Sequence, residues 1–198
     1  NIPLILGGQQ GVAAATRRKG DFSLPLPLSA APAGSPILLR WTLLSPAVFP
    51  ETAANSAEGI GQHPGGWLPS WIDAVSGQVM LPRGKVQRLE NEPRDAWRKR
   101  IKDAGKFTAR LVAARIARPL VFSGWDLKTG PKPTYLAVPP GSAYVFDVRD
   151  PGEAKDLSDA LSWNGGEGGH VKNRRSTLFG EKGFGLGVCS VIKKANQE

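Results

Sequence analysis

The order of strand and helix patterns after residue 36 constrains the fold of this chain more than any other feature. Residues 37–44 read Ile-Leu-Leu-Arg-Trp-Thr-Leu-Leu and predict a strand. The long apolar run 107–122 predicts a central strand, interrupted at its proline. Residues 142–148 predict a further strand, in which Tyr144 and Phe146 share one face because side chains two apart point the same way.

Two segments show the apolar spacing of a helix. Residues 95–106 place apolar side chains at helical spacing among several cations, between a proline and a glycine that suit the two ends of a helix. We expect a surface helix there. Residues 154–163 predict a second helix, after the turn-forming run Asp-Pro-Gly at 150–152. Shorter strands are predicted at 136–138 and, after this helix, at 188–193.

Together these patterns predict an α+β fold. The predicted order is strand, helical insertion, strand, strand, helix, strand. This is the order of a ferredoxin-like (RRM-like) domain with an antiparallel sheet, which many RNA-binding proteins share. We predict this domain over 36–198, with a long irregular helical insertion at about 46–106. Residues 1–35 are predicted to be the remnant of a preceding domain plus a proline-rich linker. The chain starts without Met and reaches a glycine pair within eight residues, so we expect a longer natural protein.

The charge of the chain indicates a polyanionic partner. Its 198 residues carry a net charge of +9 with a pI near 10.0, and a globular domain this basic usually binds RNA, DNA or a membrane surface. A basic protein without such a partner is the alternative.

One cysteine excludes an internal disulfide and a cysteine-cluster zinc site. No apolar run approaches the length of a membrane span, so we expect a cytoplasmic protein. With one cysteine and two histidines far apart, His63 and His170, we expect no metal site, and we expect no cofactor.

A glycine-rich segment, residues 174–188, is the strongest candidate for a binding site. It packs four glycines, three cations and two phenylalanines into fifteen residues. Glycine lets a backbone approach a ligand without steric cost, and Arg or Lys beside it favours phosphate. Exposed Phe beside cations favours stacking of a nucleobase. The alternative is a hairpin with glycine bulges and no ligand.

Motifs for nucleotide binding and hydrolysis are absent from the sequence. Gly180-Glu-Lys-Gly183 has the wrong spacing for a phosphate-binding loop, and glycines that precede a strand do not make a dinucleotide-binding fold. The one tempting catalytic group is His170, which could take a proton from a ribose 2′-OH in an RNA endonuclease. Because no second acid–base group accompanies it, we predict no catalytic residue.

Several stretches together resemble one family. Gly180-Glu-Lys-Gly-Phe-Gly-Leu-Gly187, which follows a helix and leads into a final strand, resembles the hallmark glycine loop of the RAMP superfamily of CRISPR proteins. Other stretches are similar to one branch of it, the third subunit of the Cmr module, the type III-B CRISPR effector complex. These stretches are Leu6-Gly-Gly-Gln9, Leu43-Leu-Ser-Pro46, Gly66-Trp-Leu-Pro69, Phe122-Ser-Gly-Trp-Asp126, Pro131-Lys-Pro-Thr134 and Val138-Pro-Pro-Gly-Ser-Ala-Tyr144.

The resemblance implies a role in antiviral defence. A subunit of this kind is expected to hold the 5′ repeat-derived handle of the guide RNA without cutting RNA. It is also expected to dock on the large polymerase-like subunit, next to the adjacent backbone RAMP subunit. Family members carry a further N-terminal ferredoxin-like portion, so this chain is expected to be a C-terminal portion of such a protein. The alternatives are a guide-processing endoribonuclease that uses His170 and a protein-only scaffold.

The resemblance also assigns residues to the RNA. Backbone contacts to phosphate are expected at Gly183, Gly185 and Gly187, and cations nearby would neutralise phosphates. Phe184 would either stack on a base or anchor the core, and Trp125 is expected to be structural. The full set of RNA-binding candidates is Arg174, Arg175, Lys182, Gly183, Phe184, Gly185, Gly187, Lys132, Lys128, Arg17 and Arg18.

Overall fold

Strands, with two helices between them, dominate the part of the chain that the structure describes. This computed structural model describes residues 2–6, 11–15, 28, 30–33, 36–54, 61–83, 89–103, 105–166 and 171–192. Within them lie β1 (Ile2–Leu6), β2 (Gly11–Ala15), β3 (Ile37–Leu43), α1 (Arg94–Asp103), β4 (Arg110–Arg115), β5 (Leu120–Phe122), β6 (Trp125–Asp126), β7 (Gly130–Pro131), β8 (Tyr135–Ala137), β9 (Ala143–Val148), α2 (Pro151–Leu161) and β10 (Gly187–Val191). The fold is therefore α+β.

A four-stranded antiparallel sheet forms the centre of the fold, in the order β10-β3-β9-β4. Alternate side chains of β3 and β9 are buried on one face, where Trp41 pairs with Tyr144 across the strands. Their rings lie 5.4 Å apart between centroids. The strands predicted at 37–44 and 142–148 are confirmed, as is the shared face of Tyr144 and Phe146, both fully buried. β1 and β2 pair in a separate antiparallel sheet.

The strand predicted as central over 107–122 is wrong in position. It forms the edge strand β4 and, after a break at 116–119 that contains the proline, the short strand β5. β5 pairs with β8 in a second, two-stranded sheet. Arg110 and Arg115 are exposed on β4, and charged side chains are common on edge strands, where they oppose pairing with another chain. A bulge between Leu111 and Ala113 shifts the register of β4 on β9.

Helix α2 packs on the buried face of the sheet, against β3, β9 and β10. Its N-cap is Asp150, whose carboxylate accepts hydrogen bonds from the backbone N–H of Gly152 (3.2 Å) and Glu153 (2.9 Å). The bond from Glu153, with that from Gly152, holds the pKa of Asp150 below its ordinary value of 3.8. Leu157 and Leu161 of this helix are fully buried in the core. The second predicted helix is therefore present, beginning and ending slightly before 154–163.

Irregular segments at 46–54, 61–83 and 105–109 add to the cover of this face. Glu153, buried in α2, accepts hydrogen bonds from Thr108 Oγ1 (2.6 Å) and the backbone N–H of Ala109 (3.1 Å). The helix is thus tied to the residues that lead into β4. The core side chains from these irregular segments are Ala47, Phe49, Leu68, Ile72, Val79, Leu81, Phe107 and Ala109.

Helix α1 ends earlier than predicted. It spans Arg94–Asp103, not 95–106, because Gly105 and Lys106 run beside another segment. Lys106 forms an isolated bridge with Pro82, and the backbone N–H of Arg83 donates to the carbonyl of Gly105 at 2.6 Å. Trp97 is half-buried while the residues around it are exposed, as expected of a surface helix.

Candidate nucleic-acid interface

Asn173 and the start of the glycine-rich segment close the C-terminal end of helix α2. Asn173 Nδ2 donates to the carbonyls of Asp159 (2.7 Å) and Ser162 (2.9 Å), and Arg175 Nε donates to that of Ala160 (2.8 Å). Carbonyls at a helix end have no partner inside the helix, so side chains satisfy them here. Burial lowers the pKa of Arg175 to about 10, so its guanidinium remains charged at neutral pH. Arg175 therefore points at the protein, and its contacts favour a structural role.

Gly185 is buried between two neighbouring backbones. Its N–H donates to the carbonyl of Pro46 (2.7 Å), and its carbonyl accepts from the N–H of Arg175 (2.8 Å). A Cβ at this position would lie 2.0 Å from the backbone nitrogen of Ser176, and its φ is +78°. Contacts inside the protein thus explain why glycine stands here, and its amide group is already bonded.

Gly187 begins β10 and lies directly against the core. A Cβ at this position would come within 2.2 Å of Trp41 Nε1. That nitrogen donates to the carbonyl of Leu161 at 2.9 Å, another terminal carbonyl of α2. Glycine at 187 therefore lets strand, tryptophan and helix end approach one another. Like Gly185, it lies in the interior, and packing accounts for it without any ligand.

Residues 179–183 form the outward-facing turn of the segment. Phe179 has φ +61° and ψ +19°, an uncommon conformation for a non-glycine residue, and a 3-10 turn follows over Gly180–Lys182. Gly183 has φ +83°, and a Cβ there would meet open space. Lys182 is exposed, with its Nζ 5.1 Å from the centroid of the Phe179 ring. The segment is therefore a tight turn that presents a cation, and not the hairpin considered as an alternative.

Four aromatic rings support this turn. Phe179 lies 4.8 Å from Phe122, 5.5 Å from Tyr135 and 5.5 Å from Phe184, measured between ring centroids. Phe184 also contacts Phe122 edge-on at 4.9 Å. Such edge-to-face contacts add stability beyond the area they bury. We name these four residues the aromatic cluster. The ring of Phe184 is half-buried in it, which is an anchoring position.

The aromatic cluster joins the glycine-rich segment to the loop 123–134. Phe122 and Tyr135 are paired at the base of this loop in the β5–β8 ladder, and both contact Phe179. The sequence analysis treated the two regions separately and assigned no role to Phe122, Tyr135 or Phe179. Aromatic residues at both ends of a loop were the available signal.

The loop 123–134 carries the two predicted lysines on its surface. Lys128 and Lys132 are exposed, and Lys132 Nζ lies 3.8 Å from a carboxylate oxygen of Asp126. Backbone hydrogen bonds from Lys128 and Thr129 lower the pKa of Asp126, so this carboxylate is charged at neutral pH. Trp125, expected to be structural and not stacking, is 68% exposed. A two-residue strand at a loop tip has no core to bury an indole.

The remaining candidates divide by location. Arg174 is exposed. A Cβ built at Gly180 would lie 3.5 Å from the Cβ of Arg174, so Arg174 flanks the 3-10 turn. Arg17, Arg18 and the alternative catalytic residue His170 lie outside the described residues. The described residues thus bring together Arg174, Lys182 and Gly183 at one outward turn, with Gly185 and Gly187 behind it.

The described part of the chain holds no group of three or more His, Cys, Asp or Glu side chains that could bind a metal ion. None of its helices is both long enough and apolar enough to cross a membrane.

Comparison with known proteins identifies a family. No curated protein and no solved structure shows a significant match to the chain. The family described as CRISPR-associated protein (Cas_Cmr3) matches it over residues 5–191, which include the main sheet, both helices, the aromatic cluster and the glycine-rich segment. The chain therefore belongs to the Cmr3 family of CRISPR-associated proteins and is a subunit of a Cmr complex.

Proposed function

We propose that this chain is a non-catalytic RNA-binding subunit of a type III-B complex, which holds the 5′ repeat-derived handle of the guide RNA in antiviral defence. The observation that carries the proposal is the outward turn of the glycine-rich segment. There Lys182 and Arg174 are exposed beside Gly183, where no side chain obstructs an approaching strand. The net charge of +9 agrees with a polyanionic partner.

The phosphate contacts at this turn would come from side chains more than from backbone amides. The N–H of Lys182 donates to the carbonyl of Phe179 (2.9 Å), and that of Gly183 donates to the carbonyl of Gly180 (3.0 Å). Those amides are therefore bonded already. The ammonium of Lys182 and the guanidinium of Arg174 remain to neutralise phosphates, and Gly183 supplies clearance. Lys128 and Lys132 add two exposed cations on the loop that the aromatic cluster joins to this segment.

We also propose that the domain is a ferredoxin-like RAMP domain. The strand order supports this, because β3 and β9, the first and third strands of the domain, are central, while β4 and β10 are at the edges. β5 to β8 form an addition between the second and third strands. The expected partners are the guide RNA, the large polymerase-like subunit and the adjacent backbone RAMP subunit, in the cytoplasm.

Salt-dependent RNA binding tests the function. The double variant Arg174→Glu, Lys182→Glu should weaken binding of an RNA with the repeat-derived handle sequence. Its slope of log K against log salt should fall by roughly 0.7 for each phosphate that the protein no longer neutralises. The matched control is Lys99→Glu, Lys106→Glu, which changes the charge equally at exposed positions in and after α1. Equal RNA affinity and slope for both double variants would refute the assignment of this turn.

Two outcomes would favour the rival functions. Cleavage of repeat RNA without added metal, abolished in His170→Ala, would show a guide-processing endoribonuclease. The scaffold alternative has an observation in its favour, since Arg175, Gly185 and Gly187 are all engaged by the protein itself. If the Arg174, Lys182 double variant bound RNA normally but failed to assemble with the other Cmr subunits, the protein-only scaffold would replace our proposal.

A further inference from the structure

An apolar groove lies between the main sheet and the β5–β8 sheet. Its volume is about 560 Å³, and its lining includes Ala114, Ile116 and Pro119 together with Trp67 and Leu136. Leu136 is 59% exposed and Trp67 49% exposed, although both are large apolar side chains. Gly66 and the buried residues Ala137 and Val138 complete the lining. Exposed apolar side chains gathered around one concave surface mark a place where another molecule binds.

The groove borders an open strand edge. Up to Leu111, the outer edge of β4 is occupied, because the N–H of Leu111 donates to the carbonyl of Gly77 (2.8 Å) and Arg110 bridges to Gln78. From Val112 to Arg115, no residue of the described chain pairs with that edge. The bulge after Leu111 marks the change. An open edge beside an apolar pocket is the arrangement that accepts an added strand, whose alternate side chains enter the pocket.

The chemistry of the groove favours a protein segment over a nucleobase. Apart from the indole N–H of Trp67, the side chains that line it carry no hydrogen-bonding group. A nucleobase there would find no side-chain partner for its polar edge other than that indole, whereas an aliphatic or aromatic side chain needs none, and an extended backbone can pair with the open groups of the β4 edge. The exposed cations Arg115 and Arg118 lie beside lining residues in the chain, so carboxylates flanking the apolar side chain would be attracted.

We propose that the edge of β4 from Val112 to Arg115 and the adjoining groove bind an extended segment of another Cmr subunit, in which apolar side chains are flanked by Asp or Glu. The segment adds a strand to β4 and places an apolar side chain against Trp67 and Leu136. This inference uses membership of a multisubunit complex and does not depend on RNA contact at the glycine-rich segment, so either can fail without the other.

A peptide-binding experiment tests this docking surface. Fluorescent twelve-residue peptides that tile the other subunits of the same complex are titrated with the purified chain, and anisotropy reports binding. Acidic peptides with alternating apolar residues should bind, and they should slow amide hydrogen exchange at 112–115. Ala114→Trp, which fills the groove, should weaken them about tenfold or more, as expected when a buried apolar side chain is displaced. Ala96→Trp, the same change at an exposed position of α1 and outside both the groove lining and the β4 edge, is the matched control.

Charge and competing ligands complete the design. Arg118→Glu should weaken the acidic peptides, while Lys99→Glu on α1 should leave them unchanged. Leu136→Glu gives a second groove variant if the tryptophan variant does not fold. The proposal is overturned if no tiled peptide binds, or if the peptides that bind have the same affinity for both groove variants as for wild type. It is also overturned if the groove variants weaken binding of a single-stranded RNA of ten uridines but of no peptide, since the groove would then be a nucleic-acid site.

Discussion

A matched pair of alanine substitutions separates the two reasons for which glycine occurs in the glycine-rich segment. Gly183 and Gly185 both have positive φ, at +83° and +78°, so alanine at either position incurs the left-handed backbone penalty of about 1–2 kcal/mol. At Gly183 the added methyl meets open space. At Gly185 it lies 2.0 Å from the backbone nitrogen of Ser176, which cannot rotate away as a side chain can.

The expected free energies of unfolding therefore differ. Overpacking of an interior site costs a further 1–3 kcal/mol or so, which places Gly185→Ala at about 2–5 kcal/mol against about 1–2 kcal/mol for Gly183→Ala. With a urea m-value of about 2 kcal/mol per molar, the unfolding midpoint falls by about 0.5–1 M for Gly183→Ala and about 1–2.5 M for Gly185→Ala. Urea titrations followed by tryptophan fluorescence measure both shifts.

RNA affinity completes the comparison between these variants. Gly183→Ala should bind the handle RNA less tightly than wild type although it is mostly folded, because the methyl occupies the clearance beside Lys182. Gly185→Ala should retain the affinity of wild type in whatever fraction is folded. Equal unfolding midpoints for the two variants would refute the packing argument. Loss of RNA affinity in folded Gly185→Ala alone would place the ligand at the buried glycine.

Three further substitutions test the core and the caps. Trp41→Phe leaves the carbonyl of Leu161 without its donor and should lower stability by about 1–3 kcal/mol in thermal unfolding; an unchanged midpoint would contradict this. Tyr144→Phe removes the bond of its hydroxyl to the carbonyl of Trp67 (2.6 Å) and should lower stability by about 1 kcal/mol, since burial raises the Tyr144 pKa and keeps it a donor. Asp150 has a lowered pKa, so its stabilising effect is present above 3.8 and disappears as pH falls through the folded value. The stabilities of wild type and Asp150→Asn should thus converge in acid, and a constant difference from pH 7 to pH 2 or so would refute this.

The strands and helices of the domain were largely predictable because their signals are local. Alternation at 142–148 and helical spacing at 154–163 both reflect which side chains the core needs, and both elements are present. The position of β4 was not predictable from the run 107–122 by itself. Its apolar residues suit a buried strand, but neighbour order is decided by partners far away in sequence.

The candidate site shows the same division. The glycines and cations of 174–187 were found from composition, yet the structure assigns Gly185 and Gly187 to packing and Arg175 to the end of α2. Their partners, such as Ser176, Trp41 and Ala160, are brought near by the fold and leave no mark in a local motif. Phe179 belongs to the same segment and had no predicted role, although it is the ring at the centre of the aromatic cluster.

The central position of β3 has a consequence for how the protein folds. Three hydrogen bonds join the start of the domain to its end. Trp41 and Leu161 are 120 positions apart in the sequence, Val48 and Ser176 are 128 apart, and Ser45 and Leu186 are 141 apart. Contacts so distant in sequence make folding slow. At a synthesis rate of about 5–20 residues per second, β9 is made roughly 5–20 s after β3, and the apolar side chains of β3 lack this partner during that time. A chaperone that shields β3 during this interval should therefore raise the yield of folded protein more than one that acts after synthesis.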